Sequence, residues 1–201
     1  MNISQLFVKV RSNIAELLIL HRANQYMLEL LTNCQSSIST VLQLHDVSYN
    51  YFSESIRKLS AVDDNISEQM VVSFSKEILG YMENLETTIR KQVSCLDRMY
   101  VQLPENSCAE FACNVIEPVS MINLLVFKQL VIFYKAYLFC TKVSVPEFLK
   151  SYNHPNTDMQ DLINQILSIT KDDSHLLQIG NDVVSMIQQV ISHESTGTVS
   201  Q

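Results

Sequence analysis

The sequence predicts an all-α protein, an elongated bundle of long antiparallel helices followed by shorter C-terminal helices. Residues 1–79 contain no Gly and no Pro, and Gly80 is the only residue of either type before Pro104. Because Gly and Pro interrupt helices most strongly, this stretch favours long helices. Apolar residues also recur at steps of three and four, the spacing of one helical face. We therefore expect a single domain over residues 1–192 and a disordered, Ser/Thr-rich tail over residues 193–201.

The first predicted helix covers residues 4–60, with one apolar seam along its length. The seam also holds Asn13, Asn24 and His45, which we interpret as satisfied polar core residues, with pH sensing by His45 as the alternative. The dense Thr, Asn, Ser and Gln content between Thr32 and Thr40 leaves a break in the helix open. The apolar seam residues are Leu6, Val10, Leu17, Leu20, Met27, Leu31, Cys34, Ile38, Leu42, Tyr49, Phe52, Ile56 and Leu59.

The second predicted helix covers residues 66–103, after an acidic turn, and Pro104 ends it. Gly80 lies inside this helix, where it costs about 1 kcal/mol relative to Ala. We expect that cost to be offset by close packing of another element against the backbone at Gly80.

The third predicted helix covers residues 108–141. Ser107 and Glu110 have the spacing of a capping box at its start, and Pro118 predicts a kink. Residues 119–140 are apolar enough to suggest a membrane span. Two lysines near the centre of that stretch favour a buried core helix instead.

Three short helices are predicted to follow, over residues 145–152, 158–170 and 174–192. Each has a start signal of the kind that satisfies free backbone N–H groups at a helix N-terminus. An interruption of the last helix at Gly180 is left open. The start signals are Ser144, Pro146 and Glu147 for the first helix, Thr157 and Gln160 for the second, and Asp172, Asp173 or Ser174 for the third.

Composition excludes several classes of function. The net charge of −7 argues against nucleic acid as a partner, because phosphate binding needs clustered Lys and Arg. With three glycines the chain has no phosphate-cradling loop. It also lacks Glu-x-x-His and His-Glu-x-x-His pairs, which argues against di-iron and zincin sites. We therefore expect no enzyme activity, no cofactor and no small-molecule substrate.

Cysteine usage bears on the cellular compartment. The chain has five cysteines, an odd number, none of them in a C-x-x-C pair, and no secretory pattern at its N-terminus. These features are typical of reduced thiols, and they predict a cytoplasmic protein.

Six basic residues form the sharpest pattern in the chain. Three lysines of the third helix are spaced seven apart and therefore lie on one line, and the second helix adds three more basic residues. They either form a surface that contacts anionic lipid or an acidic partner, or simply keep an apolar helix soluble. The residues are Lys128, Lys135, Lys142, Arg90, Lys91 and Arg98.

One step in the sequence resembles a known superfamily. The run Asn114-Val115-Ile116-Glu117-Pro118, followed by an apolar helix with lysines, resembles the start of an arm helix in BAR domains. The similarity covers residues 20–142. It implies a dimer that binds curved anionic membrane, with the contacts falling on Lys128, Lys135 and Lys142. The chain differs from that pattern in being acidic and in ending with short helices.

The leading hypothesis is a non-enzymatic protein–protein interaction module, an adaptor or complex subunit that associates through apolar helix faces. Its partner would be another protein or a second copy of the chain. The alternative is a BAR-like module on a membrane surface. An alternative architecture is a compact helical fold with a partner-binding groove, of the kind seen in apoptosis regulators, in which residues 119–140 form the central helix.

Overall fold

The computed structural model describes residues 3–60, 68–139 and 158–196, and within these ranges it is a bundle of helices with no strand. The predicted all-α helical bundle is confirmed. A π-helical segment, Ala112–Ile116, separates the fourth and fifth α-helices. The α-helices are α1 (Ile3–Leu20), α2 (Gln25–Ser60), α3 (Glu68–Gln102), α4 (Glu105–Phe111), α5 (Glu117–Phe139), α6 (Met159–Thr170) and α7 (Ser174–Thr196).

The prediction of one helix over residues 4–60 is wrong, because a tight turn at residues 21–24 separates α1 from α2. The backbone N–H of Asn24 donates to the carbonyl of His21 at 2.8 Å. The side-chain oxygen of Asn24 accepts from the N–H of Met27 at 3.1 Å. Asn24 is therefore an N-terminal cap and not a seam residue.

The stretch between Thr32 and Thr40 is continuous helix. Hydroxyl groups there donate to carbonyls one turn back, as Thr32 does to Leu28 at 2.7 Å and Thr40 to Ser36 at 3.1 Å. Because these side chains bond within their own helix, they do not interrupt it.

Helices α2 and α3 form an antiparallel pair, each about 50 Å long at 1.5 Å per residue. Tyr51 of α2 stacks on Phe74 of α3 with ring centroids 5.5 Å apart. Towards the other end, Ser37 of α2 and Cys95 of α3 line the same groove. Because the number rises along α2 as it falls along α3, the two helices run in opposite directions.

Helix α5 lies in the centre of the bundle. It runs antiparallel to α3, since Asn123 donates to Gln92 at 2.7 Å while Tyr137 stacks on Phe74 at 3.7 Å. Within the described residues, one continuous helix, Glu105–Tyr137, is long and apolar enough to cross a membrane, with a mean hydropathy of 1.6. Because 72% of its most apolar window is buried against the other helices, it has the character of a core helix.

Stacked aromatic rings join α2, α3 and α5. Phe52 and Phe133 stack at 4.2 Å, next to the pair formed by Phe74 and Tyr137. Offset stacking of this kind adds about 0.5–1.5 kcal/mol per pair to the energy of burial. These rings fix the three long helices at one end of the bundle.

Helix α6 begins at an acidic cap. The carboxylate of Asp158 accepts from the N–H of Asp161 at 2.8 Å. The predicted box of Thr157 and Gln160 is not the cap: Thr157 lies outside the described residues, and the side chain of Gln160 donates to Asn164 instead.

Asp173 caps α7, as one of the three predicted alternatives. Its carboxylate accepts from the N–H groups of His175 at 3.0 Å and Leu176 at 3.1 Å. The helix passes through Gly180 without interruption and ends at Thr196, four residues into the predicted disordered tail. The remainder of that tail and the predicted helix over residues 145–152 lie outside the described residues.

The two described helical glycines differ in their surroundings. A Cβ atom at Gly80 would meet nothing within 4 Å, so the expected close packing there is wrong. A Cβ atom at Gly180 would lie 3.4 Å from Oγ1 of Thr170 and 3.7 Å from Cε1 of Phe127. Close approach of helices therefore occurs at Gly180, where α7 meets α5 and α6.

Candidate functional site

The predicted irregularity at Pro118 takes the form of a π-helical segment, Ala112–Ile116, directly before it. Pro118 has no N–H, so the carbonyl of Asn114 lacks its ordinary donor four residues on. The side-chain amide of Asn13, on α1, donates to that carbonyl at 2.7 Å. A polar seam residue of α1 thus satisfies the backbone at the irregular point of the central helix.

The predicted capping box at Ser107 and Glu110 does not form. Helix α4 begins earlier, at Glu105, with Pro104 in the cap position and no side-chain hydrogen bond there. Pro at the start of a helix costs little because the first N–H groups have no helical acceptor. The side chains of Ser107 and Glu110 are instead available on the surface beside α1.

A groove lies between the C-terminal half of α1 and the segment formed by α4 and the π-helix; we call it the α1–α4 groove. Its volume is about 570 Å³. Its floor is apolar, since Phe111 and Val115 are buried and Leu17 and Leu103 are half-buried. Its lining residues are Asn13, Glu16, Leu17, Leu20, His21, Leu103, Pro104, Ser107, Glu110, Phe111, Asn114 and Val115.

The rim of the α1–α4 groove is acidic. Glu16 and Glu110 are exposed, and no Lys or Arg is among the lining residues. His21 contributes a buried Nε2 atom that has no hydrogen-bond partner among the described residues. The groove therefore combines an apolar floor, two negative charges and one polar atom able to bind a further group.

Exposed apolar side chains stand at the end of α1, where Leu20 lines the groove. Leu20 is 73% exposed and Ile19 is 70% exposed at the end of α1. Val8, on the same helix but outside the groove, is 67% exposed. Leu20 is therefore an apolar contact point at the groove, and Val8 is its natural comparison.

The predicted line of exposed lysines on the central helix begins with a residue that is buried. Lys128 is only 7% exposed, and its ammonium donates to the side-chain oxygen of Gln165 on α6 at 2.6 Å. Burial lowers the pKa of Lys128 below its usual value. Lys135 is half-buried, and Lys142 lies outside the described residues. Lys128 thus joins α5 to α6 and is not a surface contact.

The three predicted contact residues of α3, Arg90, Lys91 and Arg98, are exposed. Arg90 forms an ion pair with Glu86 at 2.8 Å, one turn back on the same helix. Arg90 and Lys91 line a polar groove of about 520 Å³ between α2 and α3. Arg90 and Arg98 also border a smaller groove next to α7. These residues form one basic surface on α3, apart from Lys128.

His45 is half-buried on α2, as a seam position requires. Burial lowers its pKa, while the charge of Asp46 and a hydrogen bond with Gln129 act in the opposite direction. Its proposed role in pH sensing stays a prediction.

In the described part of the chain, no group of three or more His, Cys, Asp or Glu side chains is placed to hold a metal ion. No family model matches the sequence, and no curated protein or solved structure is significantly similar to it. The resemblance to BAR domains accordingly stays a prediction.

The α1–α4 groove was not predicted. Its floor brings Leu17 together with Phe111 and Val115, which are about a hundred positions away in the sequence. The apolar periodicity of one helix does not predict which residues of another helix it contacts. The available signal was the pair of prolines at 104 and 118, which bracket a short segment inside an otherwise apolar helix.

Proposed function

We propose that this protein is a non-enzymatic interaction module that binds an apolar helix, flanked by basic side chains, in the α1–α4 groove. The observation that carries the proposal is the groove itself, with its apolar floor and its rim of Glu16 and Glu110. A helix in an apolar groove is a recurring mode of recognition, in which side chains one turn apart fill the floor.

The energetics favour an apolar partner. Complete burial of one Leu side chain contributes about 1.5–3 kcal/mol, and Leu20 is largely exposed. Binding would also surround the rim carboxylates with the partner's Lys or Arg, which increases the association rate and sets orientation more than it increases affinity. The His21 Nε2 atom offers one further polar contact.

The charges of the rim also argue against a two-fold homodimer formed through this groove. In a two-fold dimer the same surface meets itself, so Glu16 and Glu110 of one copy would approach the same acids of the other. Like charges facing one another disfavour that arrangement. A different protein with a basic-flanked helix suits the groove better.

Site-specific photocrosslinking tests the proposal. A photoreactive phenylalanine analogue at Leu20 should give a discrete adduct in cell extract, and the same analogue at Val8 should not. The adduct should disappear when Glu16 and Glu110 are both replaced by Lys, and its partner peptide should carry Lys or Arg next to apolar residues. Equal labelling from both positions would contradict the proposal, as would an adduct that survives the charge reversal.

A BAR-like membrane module is the second candidate, favoured by the exposed basic surface of α3. Arg90, Lys91 and Arg98 are its available contacts, since Lys128 is buried. Co-sedimentation with vesicles of phosphatidylcholine, with and without phosphatidylserine, tests it. Binding that requires phosphatidylserine and is lost when the three residues become Glu supports a membrane role, and absence of binding removes it.

A further inference from the structure

Two cysteines lie at the interface of α2 and α3. Cys34 on α2 is completely buried, and Cys95 on α3 is half-buried and lines the polar groove between the helices. Ser37 lies one turn after Cys34, bonds to its carbonyl at 2.8 Å and lines the same groove as Cys95. The antiparallel register therefore places the two thiols at the same level of the helix pair.

The surroundings give the two thiols different reactivity. Burial, with a smaller contribution from the negative charge of a Cys95 thiolate, raises the pKa of Cys34 to about 12. Burial also raises the pKa of Cys95, but the positive charge of Arg98 opposes that effect. Cys95 is consequently the thiol that reaches solvent and ionises more readily, while Cys34 is a protected neighbour.

We propose that Cys34 and Cys95 form an intramolecular disulfide when a peroxide oxidises Cys95. The Cys95 thiolate attacks one oxygen of hydrogen peroxide, the O–O bond breaks, and sulfenic acid and hydroxide form. The sulfur of Cys34 then attacks the sulfenic sulfur. The S–S bond forms, the S–O bond breaks, and the hydroxyl leaves as water with the Cys34 proton.

The position of Cys34 suits the second step. A resolving thiol must contact the sulfenic sulfur, but it does not have to be accessible to solvent. Complete burial of Cys34 therefore does not prevent its reaction. The resulting bond ties α2 to α3 beside Arg90 and Lys91 of the polar groove. Oxidation thus joins α2 and α3 covalently, at a site separate from the α1–α4 groove.

The full-length protein provides a direct test, because trypsin separates the relevant cysteines. Cleavage after Lys and Arg places Cys34 in the peptide 23–57 and Cys95 in the peptide 92–98. Cys140 falls in 136–142, and Cys108 with Cys113 falls in 99–128. After treatment of the folded protein with hydrogen peroxide and alkylation of remaining thiols, most molecules should yield 23–57 linked to 92–98.

Two variants test the order of the steps. In Cys34→Ala, Cys95 should stop at the sulfenic acid, which dimedone labels on peptide 92–98. In Cys95→Ala, peptide 23–57 should stay unlinked and fully alkylated after denaturation. A disulfide that joins Cys95 or Cys34 to any other peptide overturns the proposal. So does loss of both thiols to sulfinic acid without a crosslink, or an unlabelled Cys95 in Cys34→Ala that retains the wild-type circular dichroism spectrum.

Discussion

Replacing Gly80 by Ala should stabilise the protein. Gly80 lies in the interior of α3, and an added Cβ meets no atom within 4 Å, so the substitution creates no clash. A helix-interior Gly is less favourable than Ala by about 0.8–1.0 kcal/mol, chiefly because it leaves the unfolded chain more freedom. We expect a gain near 1 kcal/mol, which corresponds to about 2–4 °C in Tm for a domain of this size.

Gly180 provides the matched control, since it is also helical but packed against Thr170 and Phe127. Larger side chains separate the two sites more clearly than Ala does. Gly80→Leu should be tolerated, whereas Gly180→Leu should cost about 1–3 kcal/mol through overpacking. Urea denaturation, with the same slope for all variants, gives the free energies of unfolding. Loss of stability in Gly80→Ala, or equal effects of Leu at both glycines, would refute the assigned surroundings.

Three further changes test other contacts, each by urea denaturation. Asn13→Ala should cost about 1 kcal/mol, because it removes the donor to the Asn114 carbonyl; no loss would mean that this bond does not anchor α1. Phe74→Ala should cost about 3–5 kcal/mol, because the ring is buried and stacked on Tyr137; a loss below 1 kcal/mol would contradict the packing. Burial lowers the folded-state pKa of Lys128, so its contribution to stability is present above the unfolded pKa of 10.5 and is lost as pH falls through the folded value. Wild type should therefore gain stability relative to Lys128→Met as pH rises from 7 towards 10.5, and a constant difference would be evidence against a buried ammonium.

The all-α bundle could be predicted because Gly80 is the only Gly or Pro in the first 103 residues and because apolar spacing is local information. The turn between α1 and α2 could not be located from the same signals. It contains neither Gly nor Pro, and it depends on the side chain of Asn24 accepting from the Met27 N–H. Asn serves equally as a cap and as a polar seam residue, and only the three-dimensional context decides between them.

Prediction of the site residues from the sequence has the same limit. The seven-residue spacing correctly places Lys128 and Lys135 on one side of α5, but it does not say which neighbouring helix covers that side. Helix α6, distant in sequence, supplies Gln165 and buries Lys128. Helix α3, by contrast, has a narrower apolar face. The spacing of its apolar residues alone is therefore enough to place Arg90, Lys91 and Arg98 on the exposed side.

The π-helical segment determines how α4 is rotated about the helix axis relative to α5. It holds one residue more than regular α-helical winding would, and each residue of an α-helix turns the chain by about 100°. Rewinding the segment as α-helix with all of its residues present would therefore rotate α4 by about that angle relative to α5, whereas deleting the exposed Cys113 would keep the two helices in phase. In the rewound form the core contacts of α5 would stay in place while Phe111 turned away from α1. The winding of this one segment thus sets whether the chain has an α1–α4 groove at all.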